Sequence, residues 1–223
     1  MTDTRGVLAD VAAERRAQIV YSAVVVVARQ GADRAKLKDI ADEAGVSLGL
    51  VQHYFRTRAT LMEVAFQAMM DISSRNWLAL DRSGTDPMVR LLAGLRLHVY
   101  GSAPFQTRWG FWVELWAIAR RDPEVSRTAH KVYSHWSVPF VDAVAALTPQ
   151  LPDDRTRPGR DVAVELLGLI DGLAVRTLVD PDVLDIDGMH RHLLDATTRL
   201  LGLDPEEVVA AVAQLIGEAS CAS

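Results

Sequence analysis

The sequence predicts an all-α protein on three observations. Through most of the 223-residue chain, apolar residues recur at the i, i+3, i+4 and i+7 spacing of one helix face. Glycine, proline and capping residues such as Ser and Asp separate these stretches. Hydrophobic residues make up 49% and charged residues 24% of the chain, proportions that suit a globular protein with a buried core.

Composition indicates the cellular compartment of the protein and whether it binds a metal or a cofactor. The single cysteine, Cys221, cannot form an intrachain disulfide, and no Cys/His cluster has metal-ligand spacing, so we expect a reducing cytoplasm, no metal and no cofactor. The longest strongly apolar run, Val24 to Ala28, is far shorter than the roughly 20 residues that a membrane helix needs. The opening residues also lack the apolar segment of a signal peptide. We therefore expect no membrane partner.

The first predicted helix runs from Ala13 to Gln30, after a loose arm of residues 1–10, and Gly31 ends it. Its predicted buried face consists of Ile19, Ala23, Val26 and Val27. Valines 24–27 favour a strand because their side chains are β-branched, but the spacing around them is helical. We expect this helix to pack across the next two.

The stretch from Lys36 to Arg58 predicts two short helices joined by a sharp turn. The apolar residues of the first helix share one face and are Leu37, Ile40, Ala41 and Ala44. Gly45 can adopt the left-handed conformation that ends this helix, and Ser47 can cap the amides that open the second. Such a helix-turn-helix is typical both of DNA-reading units and of structural corners in helical bundles.

The second motif helix offers one face to a partner, since Val51 and Phe55 point the other way. The outward face holds Leu48, Gly49, Gln52 and His53. The glutamine can form the paired hydrogen bonds that adenine offers in the major groove, and the histidine can reach a base or a phosphate. The leucine suits a thymine methyl, and the glycine lets the backbone approach closely. Tyr54 and Arg58 can bind phosphates.

The run GVSLGLVQHYFRTRATL is similar to the signature GVS-x-G-x-x-x-HYF-x-x-K-x-x-L of the tetracycline-repressor (TetR) family of bacterial transcription regulators. The resembling part covers about residues 14–65, and the run GLVQHYF also resembles the choline-sensing branch of that family. The resemblance implies a DNA-binding domain at residues 1–57 and a larger helical ligand-binding and dimerisation domain at residues 58–223. The candidate DNA-binding residues are Lys36, Ser47, Leu48, Gly49, Gln52, His53, Tyr54 and Arg58.

Four residues depart from the family pattern. Ala35 stands where a threonine usually caps the first motif helix, a loss of about 1 kcal/mol. Leu50 replaces a frequent threonine, Gln52 a frequent tyrosine and Arg58 the common lysine. We expect these departures to change the operator sequence more than DNA binding itself.

Charge is unevenly spread along the chain. Residues 1–58 carry nine Lys/Arg and seven Asp/Glu, whereas residues 59–223 carry fifteen and twenty-two. The slight positive excess accompanies the motif. Because this excess is small, we expect DNA affinity to need two copies on one duplex and to fall with salt.

A long helix from Arg58 to Leu80 is expected to link the two domains. Five further helices follow, and they are predicted at Pro87 to Ser102, from Pro104 to Arg121, Asp122 to Leu147, Arg160 to Val179 and Ile186 to Leu201. A last helix covers Asp204 to Gly217, and Pro149 to Gly159 is the clearest linker. In the resembling family, the last two helices of the ligand domain pair with their copies in a second subunit as a four-helix bundle. We expect the helices at Arg160 to Val179 and Ile186 to Leu201 to pair in this way, which implies a homodimer.

Aromatic residues cluster in the helix after Pro104. Trp109, Trp112 and Trp116 share one helix face and could line a pocket for a flat, apolar or cationic ligand, with Glu114 as a counter-charge. His130 and Tyr133, one turn apart on the next helix, could add polar anchors. Any of these side chains could equally belong to the core.

These features predict a ligand-responsive transcription regulator, most simply a homodimeric repressor. A small lipophilic aromatic or cationic molecule would release it from a pseudo-palindromic operator in double-stranded DNA. An activator, or a regulator without a small-molecule effector, fits the same residues. An enzyme is disfavoured, since the chain has no nucleophile with a base, no suitably spaced carboxylate pair and no phosphate-binding glycine loop. A helix-turn-helix that binds protein instead of DNA is the remaining class.

Overall fold

The protein is all-α, as predicted. The computed structural model describes residues 4–81, 86–101, 103–147 and 159–221, and for some of these the backbone alone. Within these ranges the chain forms ten helices and no strand. The helices are α1 (Thr4–Gln30), α2 (Leu37–Glu43), α3 (Leu48–Tyr54), α4 (Arg58–Asp81), α5 (Pro87–Tyr100), α6 (Phe105–Ala119), α7 (Pro123–Leu147), α8 (Gly159–Val179), α9 (Ile186–Leu201) and α10 (Pro205–Cys221).

Two helices extend beyond their predicted ends. The helix α1 begins at Thr4, so the prediction of a loose arm over residues 1–10 was wrong for its described part. No proline interrupts residues 4–13, and extending an existing helix costs far less than starting one. At the other end of the chain, α10 continues to Cys221, beyond the predicted Gly217. The predicted linker lies outside the described residues, apart from Gly159, which opens α8.

Packing divides the chain into two compact units. The first unit comprises residues 1–72 and 106–129, and the second comprises residues 73–105 and 130–223. The helix α6 therefore packs with the N-terminal helices although it lies in the second predicted domain. The predicted functional division at residues 57 and 58 stays a prediction.

In the first unit, α1 packs against α2 and α2 against α3. The predicted inner face of α1 is buried, since Ile19, Ala23, Val26 and Val27 are all 0% exposed. On α2 and at the end of α3, Ile40, Ala41, Val51 and Phe55 are also buried. The valines accept helical geometry because burial of their face outweighs their weak helix propensity.

In the second unit, α9 packs against α5 and α8, and α10 packs against α5. The bounds of α9 match the predicted ones because both ends carry clear caps. Asp185 accepts a hydrogen bond from the Gly188 N–H at 2.6 Å, and Gly202 ends the helix with a φ of 61°. The Tyr100 hydroxyl on α5 donates to Asp187 Oδ1 at 2.7 Å. Burial, together with this bond, raises the pKa of Tyr100 to about 12.

The helix α8 carries a carboxylate in an apolar setting. Asp171 lies one helical turn from Leu167 and Ala174, which are both buried. It forms no hydrogen bond or ion pair with another described residue. Burial raises the pKa of Asp171 to about 7, because removal of water disfavours the charged form.

Replacing Asp171 by asparagine should change how stability depends on pH. Because the folded-state pKa lies above the unfolded value of about 3.9, the folded state binds the proton more tightly, and the wild-type free energy of unfolding falls as pH rises from about 4 to about 7. The variant D171N lacks this titration. We expect it to exceed wild type by on the order of 2 kcal/mol at pH 8 and by little at pH 4.

Urea unfolding at several pH values measures this difference. D142N, which removes an exposed acid from α7, is the matched control and should follow the wild-type pH dependence. Parallel pH profiles for D171N and wild type would contradict the assignment.

Candidate nucleic-acid interface

The start of α2 is held without a threonine cap. Lys36 occupies the N-cap in an extended conformation, and its backbone N–H donates to Asp39 Oδ2 at 3.2 Å. A lysine side chain has no acceptor to return such a bond, so Asp39 supplies half of a capping box. From α4, Arg58 Nε donates to the carbonyl oxygen of Ala35 at 2.6 Å. Arg58 thus has a structural partner, and its predicted phosphate contact would use the other guanidinium nitrogens.

The turn between α2 and α3 forms as predicted. Gly45 has a φ of 62°, in the left-handed region that favours glycine. The Val46 N–H donates to the Ala41 carbonyl at 3.0 Å, which closes the end of α2. Ser47 Oγ accepts the Leu50 N–H at 3.2 Å and caps α3. These contacts fix the angle between the two helices.

The two faces of α3 divide as predicted. Val51 and Phe55 are 0% and 1% exposed. The four outward residues, Leu48, Gly49, Gln52 and His53, are all exposed. Tyr54 is half-buried, and its ring centroid lies 5.5 Å from that of His53 in an edge-to-face arrangement. The polar side chains of α3 are therefore available to a duplex, although their base contacts stay predictions.

Ion pairs neutralise several charges of the first unit. Arg29 pairs with Glu43 at 3.0 Å, and Lys38 pairs with Asp42 at 3.5 Å. Lys36 is exposed and forms no ion pair with another described residue. Two acids of α2 thus have cationic partners, which reduces their repulsion of a phosphate backbone.

The helix α6 packs closely on the carboxyl end of α1. A Cβ atom placed on Gly110 would lie 3.1 Å from the carbonyl oxygen of Ala28, so only glycine fits without displacement. Glu114 Oε2 accepts the Ala32 N–H at 2.8 Å, just beyond the end of α1. The rings of Phe111 and Phe66 on α4 add an aromatic contact with centroids 5.0 Å apart. We call Gly110 and Glu114 the α1 face of α6.

The contact of Glu114 gives this carboxylate a structural partner, and its predicted role beside a ligand stays a prediction. The carboxylate was expected to balance the charge of a ligand beside the tryptophans. At about 100° per residue, Glu114 lies about 140–160° around α6 from Trp109, Trp112 and Trp116, and its oxygen already accepts a backbone N–H. Sequence spacing could not reveal this partner, because it is a main-chain group 82 positions away.

The three tryptophans form the opposite side of α6, which we call the tryptophan face. Trp109 is 4% exposed, Trp112 and Trp116 are half-buried, and the rings of Trp109 and Trp116 lie 6.5 Å apart. On α7, His130 is exposed. The side chain of Tyr133 lies outside the part of the chain that the structure describes. Ligand contacts by these residues stay predictions.

The helices α8 and α9 expose an apolar surface. Val164, Val175 and Val179 on α8 are 61%, 38% and 77% exposed. Between them, Gly168 and Gly172 have no atom within 4 Å of where a Cβ would lie. A groove of about 320 Å³ lies beside this face and is lined by Leu169, Leu173, Arg176, Val183, Leu184, His192, Ala196 and Arg199. We call the groove and the exposed residues of α8 the α8–α9 surface.

Neither a metal-binding cluster nor a membrane-spanning helix occurs among the described residues. These residues include no group of three or more His, Cys, Asp or Glu that could hold a metal ion. None of their helices is both long and apolar enough to span a bilayer.

Comparisons with known proteins agree with this architecture. The HTH-type transcriptional regulator BetI of Pectobacterium atrosepticum is 27% identical over 182 residues, which cover 78% of this chain and 87% of that protein. A transcriptional regulator from Saccharomonospora viridis, solved in complex with choline, matches with a TM-score of 0.73 at 22% identity, over 82% of this chain and 95% of that one. A TetR-family regulator from a Rhodococcus species matches with a TM-score of 0.68 at 24% identity, over 85% and 99%.

Two family profiles also match. The profile for bacterial regulatory proteins of the tetR family covers residues 19–65, which contain the helix-turn-helix. The profile for the C-terminal part of BetI-type transcriptional repressors covers residues 87–202, more than half of the chain. From these matches and the helix-turn-helix geometry, the protein belongs to the TetR family of DNA-binding transcription regulators and carries a BetI-type C-terminal region.

Proposed function

We propose that this protein represses transcription as a homodimer that a small molecule releases from a pseudo-palindromic operator. The observation that best supports this function is the outward placement of Gln52 and His53 on a helix whose inner residues, Val51 and Phe55, are buried. A rigid helix with exposed polar side chains is what direct reading of base edges in the major groove requires.

The α8–α9 surface supports a second copy of the chain as the dimerisation partner. Exposed valines and the adjoining groove would leave a large apolar area in water if the chain stayed monomeric. The open space over Gly168 and Gly172 would let the backbone of a partner helix approach closely. In a homodimer on a pseudo-palindromic operator, the two copies of α3 would enter successive major grooves, with half-sites about 34 Å apart.

The tryptophan face supports a cationic effector. Indole rings carry a negative electrostatic potential on their faces, and they attract a quaternary ammonium group without a formal ion pair. The S. viridis regulator was solved with choline, which is such a cation. Within the predicted class of lipophilic aromatic or cationic molecules, we therefore propose choline-like quaternary ammonium compounds first.

The two faces of α6 suggest how an effector would reach the DNA-reading helix. A ligand against the tryptophan face would shift or stiffen α6, whose α1 face is bonded to Ala32 and packed on Ala28. Because α1 packs on α2, a small displacement of α6 would change the presentation of α3. A coupling free energy of about 1–3 kcal/mol would weaken DNA binding five- to hundred-fold. The linking helix α4 would move with α6 through the pair of Phe66 and Phe111.

Alanine at Gln52 or His53 should weaken operator binding without unfolding the protein. Loss of a paired base contact removes about 1–3 kcal/mol of discrimination, and both side chains are exposed, so stability should not change. Fluorescence anisotropy on a duplex selected by the wild-type protein from a random library measures affinity, and light scattering measures the dimer. Q67A, which removes an exposed glutamine from α4, is the control. Unchanged affinity in both Q52A and H53A would refute the proposal that the outward face of α3 contacts the bases.

Replacing Gly49 by alanine should affect protein stability and DNA affinity differently. An added Cβ would meet only Ser47 Oγ, at 3.9 Å, so we expect G49A to be as stable as wild type or more stable by about 0.5–1 kcal/mol. On DNA the same methyl group should obstruct the close approach of the backbone and reduce affinity about tenfold. G45A gives the opposite pattern as a control, because a φ of 62° strains alanine and lowers stability. Wild-type affinity for G49A would show that the duplex stays away from this residue.

Choline should raise the melting temperature of the wild-type protein and release it from the selected duplex. Saturation at about 100 times Kd adds about 2.7 kcal/mol to the free energy of unfolding. The neutral carbon isostere of choline, 3,3-dimethylbutan-1-ol, tests the charge and should stabilise much less. W112L should reduce the choline effect, because it removes a half-buried indole from the tryptophan face. Equal stabilisation by choline and its isostere would exclude a cation-specific site.

Glu114→Ala serves as the control for coupling in that experiment. The variant loses the bond to Ala32 but keeps the tryptophan face. Choline should still stabilise it, whereas release from DNA should need more ligand or fail. If the variant releases DNA at the wild-type choline concentration, the α1 face of α6 does not transmit the signal.

A further inference from the structure

One arginine of the first unit lies beside α3 and has no carboxylate partner among the described residues. Arg16 is exposed on α1, and its Cζ atom lies 5.3 Å from the centroid of the Phe55 ring. It forms no ion pair with another described residue. Its N–H donors form no hydrogen bond with another described residue and are available to an acceptor.

Arg16 lies at the carboxyl end of α3. Phe55 is the C-cap of that helix, and its ring centroid is 6.5 Å from that of Tyr54, which in turn is 5.5 Å from that of His53. A continuous row of side chains therefore leads from the outward face of α3 to the guanidinium of Arg16. Tyr54, in the middle of this row, is itself a predicted phosphate contact.

Two contacts hold α1 in register with the motif at this point. Gln18 Nε2 donates to the carbonyl oxygen of Ala44 at 2.8 Å, next to the turn that precedes α3. The stacking of Arg16 on buried Phe55 is the second contact. The guanidinium is thus positioned before DNA arrives, which lowers the entropy cost of a contact.

The adjacent arginine differs in its surroundings. Arg15 Nη1 donates to Gln18 Oε1 at 2.9 Å, on the same helix, and forms no hydrogen bond or ring contact with a described residue of α3. Arg15 and Arg16 have the same charge and are both exposed. Only the second is attached to the reading helix.

We infer that Arg16 binds a DNA phosphate at the carboxyl end of α3, so that α1 adds a backbone contact outside the helix-turn-helix. Arginine donates paired hydrogen bonds to phosphate oxygens, and the contact with Phe55 holds the guanidinium of Arg16 at this end of the helix. Such a contact adds affinity for any sequence and helps to set the orientation of α3 in the groove. The inference rests on the DNA-binding function of the family.

The salt dependence of binding tests this contact. Each neutralised phosphate contributes about 0.9 to the slope of log K against log salt concentration. Arg16→Met keeps an unbranched chain over Phe55 but removes the charge, so the slope should fall by about 0.9 for each bound subunit. Affinity should fall about equally for the selected duplex and for unrelated duplexes. Arg16→Lys should retain the slope.

Arg15→Met is the matched control and should keep the wild-type slope. The melting temperature of each variant reports any structural contribution of the Phe55 contact separately. A wild-type slope for R16M, whatever its melting temperature, would overturn the inference. Arg16 would then only pack against the Phe55 ring. Equal slope losses in R15M and R16M would also overturn it, because general charge would then explain both. If the wild-type protein selects no duplex, the DNA-reading function itself fails.

Discussion

The burial of Val51 and Phe55 is the constraint on which the DNA-reading unit depends. A seven-residue helix has almost no stability of its own, so its orientation comes from the side chains it buries. With these two residues 0% and 1% exposed, α3 cannot rotate about its axis without exposing a large ring. The capping bond from Leu50 to Ser47 and the left-handed Gly45 then fix where the helix starts. The outward face follows from these inner contacts.

The local parts of this arrangement could be predicted from the sequence. Helix periodicity separated the inner from the outer residues of α3, and Ser47 and Gly45 act through neighbours a few positions away. The ends of α9 were equally predictable, because Asp185 and Gly202 are local signals. The amino end of α1 could not be predicted in this way. The residues before Ala13 carry no strong helix signal of their own, and they extend the helix that the pattern predicts from Ala13 onward.

Contacts between distant residues could not be predicted. Glu114 accepts a hydrogen bond from a main-chain N–H in the turn that follows α1, and nothing in its neighbouring residues indicates such a partner. The protonation of Asp171 depends on how much water packing removes, which helix periodicity does not determine. The contacts that compensate for the missing threonine at Ala35 were also not predicted. Asp39 and Arg58 each bond the backbone near this position, and together they replace what a threonine would have supplied.

The opposite faces of α6 have a consequence for how regulators of this kind diversify. The contact with α1 requires a residue without a side chain at position 110 and an acceptor at position 114. The three tryptophans lie about 140–160° around the helix from Glu114. Under the proposed effector role of the tryptophan face, a daughter protein that arose by gene duplication could acquire sensitivity to a new metabolite by substitutions on one side of a single helix, while its DNA-binding unit remained unchanged.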